Sequence, residues 1–137
     1  MSNLLKTCIV DDDLIYRFTM VKTLESIKLP MDIMVFTDGE KAINFMLDNL
    51  DNEPEYPDVI FLDIDMPVMD GFQFMEEFIK IKPRIGKSIT IYMVSSSIDP
   101  VDIERANNIS AISDYIIKPI GLVRLKEIME NLLDERK

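Results

Sequence analysis

Asp11 and Asp12 follow an apolar run ending at Val10, and Asp63 follows Val59 to Leu62. Ser95 follows Ile89 to Val94, and Lys118 follows Ile112 to Ile117. In each case a polar group stands at the carboxyl end of a stretch that reads as a β-strand. Three carboxylates brought close together repel one another, and without help some would take up protons. A divalent cation relieves that repulsion; Mg²⁺ is typically held by one or two carboxylates together with waters and a phosphate oxygen. A lysine and a hydroxyl beside such a cation suit an oxyanion such as a phosphoryl group. Asp63 is then a candidate nucleophile, because aspartyl phosphates are an established class of covalent intermediate. Taken singly, each residue has a plainer reading, as a loop cap or a solvated loop residue. The weight lies in four strand ends carrying matched chemistry.

The residues that are missing narrow the chemistry further. The chain has no histidine and one cysteine, Cys8. Ser-His-Asp and Cys-His nucleophiles are therefore excluded, as is any zinc site needing imidazole. A metal must be held by oxygen, which points to Mg²⁺ or Ca²⁺. Phosphoryl transfer needs charge neutralisation and in-line positioning, not a histidine base. Cys8 lies in an apolar run and reads as a buried, inert thiol.

The 137 residues suit one domain, and a hydrophobic content of 47% supplies a core. The formal net charge is −10, from 15 basic and 25 acidic residues. Such a surface is repelled by nucleic acid and by anionic membranes, so neither is expected as a partner. No run of 18 apolar residues occurs, and the opening Met1 to Lys6 does not read as a signal peptide. A soluble, cytoplasmic protein is expected.

The elements that must position these groups follow in order. Leu4 to Val10 reads as a first strand. A helical pattern follows, with Leu14, Phe18, Val21, Leu24 and Ile27, and Pro30 ends it. Ile33 to Phe36 is a short strand, and the Thr37-Asp38-Gly39 turn caps a helix carrying Ala42, Phe45, Met46 and Leu50. Asp51 to Pro57 is an acidic loop. After the strand Val59 to Leu62, Pro67 and Asp70-Gly71 interrupt regular structure, and a helix begins at Phe72 with Met75, Phe78 and Ile79 facing inward. Lys80 to Lys87 is a basic connection to the strand Ile89 to Val94. Asp99-Pro100 starts a short helix reaching about Asn107. The strand Ile112 to Ile117 and a helix with Leu122, Leu125, Met129, Leu132 and Leu133 complete the chain. Five strands alternating with five helices imply an α/β doubly wound, three-layer sandwich. Its parallel sheet is expected in the order 2-1-3-4-5, flavodoxin-like, with ligands at the carboxyl ends of the strands.

The chain resembles the receiver domains of two-component response regulators, of the stand-alone, chemotaxis-regulator-like type. The residues that carry the likeness are Val10-Asp11-Asp12, Leu62-Asp63-Ile64-Asp65-Met66-Pro67 with Met69-Asp70-Gly71, Met93-Val94-Ser95-Ser96 and Tyr115-Ile116-Ile117-Lys118-Pro119. The resemblance implies that Asp63 accepts a phosphoryl group from a phosphohistidine. That histidine belongs to a bacterial sensor histidine kinase or, in a phosphorelay, to a histidine phosphotransfer protein. It implies Mg²⁺ held by the side chains of Asp12 and Asp63, by the backbone carbonyl of Asp65 and, through water, by Asp11. It makes Ser95 and Lys118 the partners of the phosphoryl oxygens, Tyr115 a switch aromatic coupled to Ser95, and Lys118-Pro119 a cis peptide. It further implies a monomer or a phosphorylation-dependent dimer, acting on a downstream protein without being a turnover enzyme. With about 18 residues after Pro119, a single receiver domain without an output domain is expected. Ala111-Ile112 departs from the Gly-Ala common before the last strand.

Three rival readings share part of this pattern. Asp63-Ile64-Asp65 resembles the Asp-x-Asp motif of haloacid-dehalogenase-like phosphatases. That family opens with this strand and needs an acidic pair after its lysine, whereas here only Glu127, Glu130, Asp134 and Glu135 follow, on a helix. A flavodoxin would need a phosphate-binding loop where three aspartates stand. A docking module that has lost phosphorylation would not need the full acidic set with Ser95 and Lys118.

Overall fold

The computed structural model describes residues 4–135, so part of the opening segment Met1 to Lys6 lies outside the described residues. The strands are β1 (Leu5–Val10), β2 (Met31–Phe36), β3 (Val59–Leu62), β4 (Thr90–Ser95) and β5 (Ile112–Ile117). The helices are α1 (Leu14–Ser26), α2 (Gly39–Asp48), α3 (Gly71–Ile81), α4 (Pro100–Asn107) and α5 (Leu122–Glu135). The sheet is wholly parallel, in the order β2-β1-β3-β4-β5. No helix among the described residues is long and apolar enough to cross a membrane.

The two-residue period of the strands divides the core in two. Cys8, Val10, Ile60, Leu62, Ile91 and Met93 face α2 and α3 and meet Ala42, Met46, Phe74, Met75 and Phe78. Leu5, Ile9, Val59, Phe61, Val94 and Ile116 face the opposite way and meet Met20 and Leu24 of α1 and Leu125, Ile128 and Met129 of α5. All four residues of β3 are buried, as expected of a central parallel strand covered on both faces. Burying each such side chain contributes about 1.5–3 kcal/mol. Burial also pushes the Cys8 thiol pKa up, consistent with an inert core residue.

Several boundaries differ from those expected. β2 starts at Met31 rather than Ile33, because Met31 and Asp32 pair with Leu5 and Lys6 of β1. β1 starts one residue late, at Leu5, and β4 runs from Thr90 through Ser95. The apolar positions of α1 do not form one buried stripe. Leu14 is 70% exposed and Phe18 62% exposed, while Met20 and Leu24 pack inward. Leu14 and Phe18 share a face with each other, but that face turns away from the sheet. In α3, Ile79 is half exposed, and Phe74 and Ile81 take the buried positions. Leu122, at the start of α5, is likewise exposed. Periodicity identified these helices correctly. It did not reveal which apolar face docks when both faces carry apolar residues.

Candidate functional site

Strand register brings the four chain ends together. Val10 lies opposite Leu62, and Leu62 lies opposite Met93. The ladder then continues one step beyond the strands. Asp63 N–H donates to the Val10 carbonyl at 2.9 Å, Asp11 N–H to the Phe36 carbonyl at 3.1 Å and Lys118 N–H to the Ser95 carbonyl at 2.9 Å. The backbones of Asp11, Asp63 and Lys118 are thus pinned by the sheet itself.

Their side chains meet above it. One carboxylate oxygen from each of Asp11, Asp12 and Asp63 lies within 4.8 Å of the other two. Asp11 and Asp63 are buried, and Asp12 is exposed. The Lys118 ammonium donates to Asp11 Oδ2 at 2.7 Å and stands 3.4 Å from Asp63 Oδ1. Asp11 Oδ1 accepts from the Asp13 N–H at 2.9 Å. Asp13 in turn caps α1, accepting from the N–H groups of Ile15 and Tyr16 at 2.9 and 3.2 Å. The third aspartate of the run therefore serves the helix, while the first two face the pocket.

Asp63 has its pKa pushed up to about 6, first by burial and then by the neighbouring Asp11 charge; Lys118 opposes both. At Lys118, burial pulls the pKa down, but hydrogen bonding to Asp11 and the charges of Asp63 and Asp11 outweigh it, so the net shift is upward. The ammonium remains charged, and among the described residues it is the one cation paired with Asp11 and Asp63 in this group of three carboxylates. Oxygen ligands with surplus negative charge are what a hard divalent cation requires, so the residues present fit Mg²⁺.

Ser95 is fully buried at the end of β4, and its hydroxyl accepts from the Ser97 N–H at 3.1 Å. Tyr115 does not reach the carboxylates. Its hydroxyl donates to the Ser97 carbonyl at 2.8 Å, so Ser97 links Ser95 to Tyr115. The Ser97 hydroxyl also donates to Asp102 of α4 at 2.7 Å. The Asp65 side chain is exposed, and its carboxylate is not among the group of three. Lys118-Pro119 is cis.

Two residues contribute in ways the sequence did not show. Asp70-Gly71 reads simply as a turn, and Asp70 does cap α3 with a reciprocal bond to Gln73. The glycine has a separate reason. A Cβ at Gly71 would lie 2.3 Å from the Asp63 carbonyl oxygen. Tyr16, in the first turn of α1, places its ring 4.2 Å from the Lys118 ammonium. An aromatic residue at helical spacing usually signals core, so nothing in the sequence marked it. Of the acids that follow Lys118, Glu135 lines a depression with Leu5 and Asp58, at the ends of the strands opposite the carboxylate group.

Comparison with known proteins agrees with this geometry. Residues 7–130 match the family model described as the response regulator receiver domain. A protein-glutamate methylesterase/protein-glutamine glutaminase of Geobacter sulfurreducens is 28% identical over 97% of this chain, which spans 31% of that protein. A second, from Methanococcoides burtonii, is 31% identical over 95% of this chain and 34% of its own length. The chain thus spans about a third of these relatives. A two-component response regulator from Cytophaga hutchinsonii superposes with a TM-score of 0.82 at 25% identity, covering 94% of this chain and 96% of that one. With the fold, the strand-end acids and the family match in agreement, the chain belongs to the response regulator receiver domain family of two-component signalling.

Proposed function

We propose that this chain is a phosphoryl acceptor, with Asp63 as the nucleophile. The observation that carries the reading is the buried Asp63 carboxylate at the end of the central strand, within 4.8 Å of two further carboxylates and 3.4 Å from an ammonium. An Asp63 oxygen attacks phosphorus in a phosphohistidine. The P–N bond breaks, its electron pair stays on the imidazole nitrogen, and an acyl phosphate forms. Asp12 and Asp63 would hold Mg²⁺ with their side chains, Asp65 with its carbonyl and Asp11 through water. When bound, the cation neutralises charge that builds on the phosphoryl oxygens. Lys118 takes up one phosphoryl oxygen as an ion pair, and the Ser95 hydroxyl donates to another.

The donor is a sensor histidine kinase or a histidine phosphotransfer protein. Exposed apolar residues next to the acidic pocket, Leu14, Ile15 and Phe18, suit docking of such a protein beside Asp63. Phosphorylation adds about −1.5 to −2 charge and three acceptor oxygens. As Ser95 moves to donate its O–H to a phosphoryl oxygen, the bond its oxygen accepts from the Ser97 N–H is displaced, which disturbs the bonds Ser97 makes to Tyr115 and Asp102. The β4–α4 connection is in this way coupled to the pocket.

Labelled acetyl phosphate with Mg²⁺ tests the reading. Stoichiometric label on the wild type, lost in Asp63→Asn, supports it. Equal uptake by both proteins removes Asp63 as acceptor, and steady multiple turnover of phosphomonoesters returns the phosphatase reading.

A further inference from the structure

Lys118 has a neighbour that the reaction does not obviously require. Its ammonium sits 4.2 Å from the centroid of the Tyr16 ring while bonding Asp11 at 2.7 Å and facing Asp63 at 3.4 Å. We infer that Tyr16 is a positioning residue whose aromatic face holds Lys118 at the phosphoacceptor, an inference that rests on the proposed role of Asp63.

The ring is placed by the acidic segment itself. Asp13, adjoining the pocket aspartates, accepts from the Tyr16 N–H and so pins the first turn of α1. Among the described residues the phenol hydroxyl finds only the weak acceptor Met20 Sδ, at 3.8 Å, so the hydroxyl does not explain the residue. The ring does. Tyr16 also lines a surface groove with Ile15, Thr19, Pro119 and Ile120. A lysine ammonium is strongly hydrated and flexible on its four-carbon stem. An aromatic face attracts it through the ring quadrupole and takes the place of water on that side.

The choice of an uncharged partner has a consequence. Lys118 must leave Asp11 or Asp63 in part to pair with an incoming phosphoryl oxygen. A third carboxylate would hold the ammonium back and compete with the phosphoryl group. The ring stays in contact while the anionic partners are exchanged. Nothing in this role needs the phenol oxygen, so phenylalanine should serve as well as tyrosine.

The test compares Tyr16→Phe, Tyr16→Leu and Tyr16→Met, each first checked for folding by thermal unfolding. In metal-free protein, the Lys118 Hε protons should resonate upfield in wild type and Tyr16→Phe, from the ring current. That shift should vanish in the two non-aromatic variants. With acetyl phosphate and Mg²⁺, Tyr16→Phe should be phosphorylated within about twofold of the wild-type rate, and Tyr16→Leu and Tyr16→Met about tenfold more slowly. Folded Leu or Met variants that match the wild-type rate would overturn the inference, as would Lys118 signals indifferent to the ring. Unfolding of both would assign the ring to packing alone and overturn it too. If the wild type accepts no phosphate, the role of Asp63 fails instead, and the resonance comparison still decides whether the ring holds Lys118.

Discussion

Replacing Gly71 with alanine should disturb the acceptor through the backbone, without touching any side chain of the pocket. The added Cβ would stand 2.3 Å from the Asp63 carbonyl oxygen, 3.0 Å from Ile64 Cα and 3.1 Å from the Asp63 carbonyl carbon. A carbon–oxygen contact is comfortable from roughly 3.3 Å, so about 1 Å must be found. All three atoms are main chain, and no side chain can rotate away. The Gly71 N–H also donates to the Ile64 carbonyl at 2.9 Å, which holds the two segments together. Gly71 does not have a positive φ, so alanine is conformationally allowed and favours the first turn of α3 by up to about 1 kcal/mol. With a contact of 2.3 Å to main chain the overpacking cost lies at the upper end of about 1–3 kcal/mol, leaving a net loss of about 2 kcal/mol in a denaturant titration. The larger effect falls on chemistry, because the strain is relieved by moving Asp63. A displacement near 1 Å can cost about a hundredfold in rate, read as phosphorylation by acetyl phosphate. A Gly71→Ala protein with wild-type stability and a rate within threefold of wild type would refute the reasoning.

Three further substitutions have definite signs. The Asp63 pKa of about 6 lies above that of the unfolded chain, so its stabilising contribution is present below pH 4 and is lost as pH rises through 6. Asp63→Asn should therefore gain on the wild type between pH 4 and 6.5 and lead by about 1–2 kcal/mol above that, less than the full shift because water screens the pocket; unfolding across pH measures it, and a constant gap would contradict it. Val68 is a β-branched residue at φ 70°, in a γ-turn where the Met69 N–H donates to the Pro67 carbonyl at 2.8 Å. Because Val68 is 72% exposed, Val68→Gly loses little packing and should raise stability by about 0.5–1 kcal/mol in thermal melts, net of the added chain entropy. The buried Tyr56 donates its hydroxyl to the Met46 carbonyl at 2.8 Å. Tyr56→Phe should cost about 1 kcal/mol in urea unfolding, with phosphorylation unchanged.

The parts of this protein that depend on local pattern were legible in the sequence. β3 was readable as four apolar residues ending on Asp63, and Asp99-Pro100 as a helix start, because burial period and capping act over a few residues. Alternation of elements and right-handed crossovers left a few topologies, of which the order 2-1-3-4-5 was the one expected, and the sheet has that order, with Asp11, Asp63, Ser95 and Lys118 at the carboxyl ends of its strands. What stayed hidden depends on contacts distant in sequence. Gly71 reads as a turn glycine until the backbone of Asp63 is seen against it. Tyr16 and Lys118 are far apart in the chain, and either could have had another neighbour. Which face of α1 turns inward was decided by the docking of Met20 and Leu24 on β1 and β3, and by nothing within the helix. Tyr56 lies in an acidic stretch that composition marks as loop, yet it is fully buried because Met46 offers its hydroxyl a partner.

The claim on which the rest depends is that the Asp63 carboxylate becomes the acyl phosphate, and mass spectrometry of the phosphorylated protein tests it most directly. After incubation with acetyl phosphate and Mg²⁺, borohydride should reduce the acyl phosphate and convert residue 63 alone to homoserine. Conversion at Asp11, Asp12 or Asp65 with Asp63 intact, or at none of them, would contradict the account.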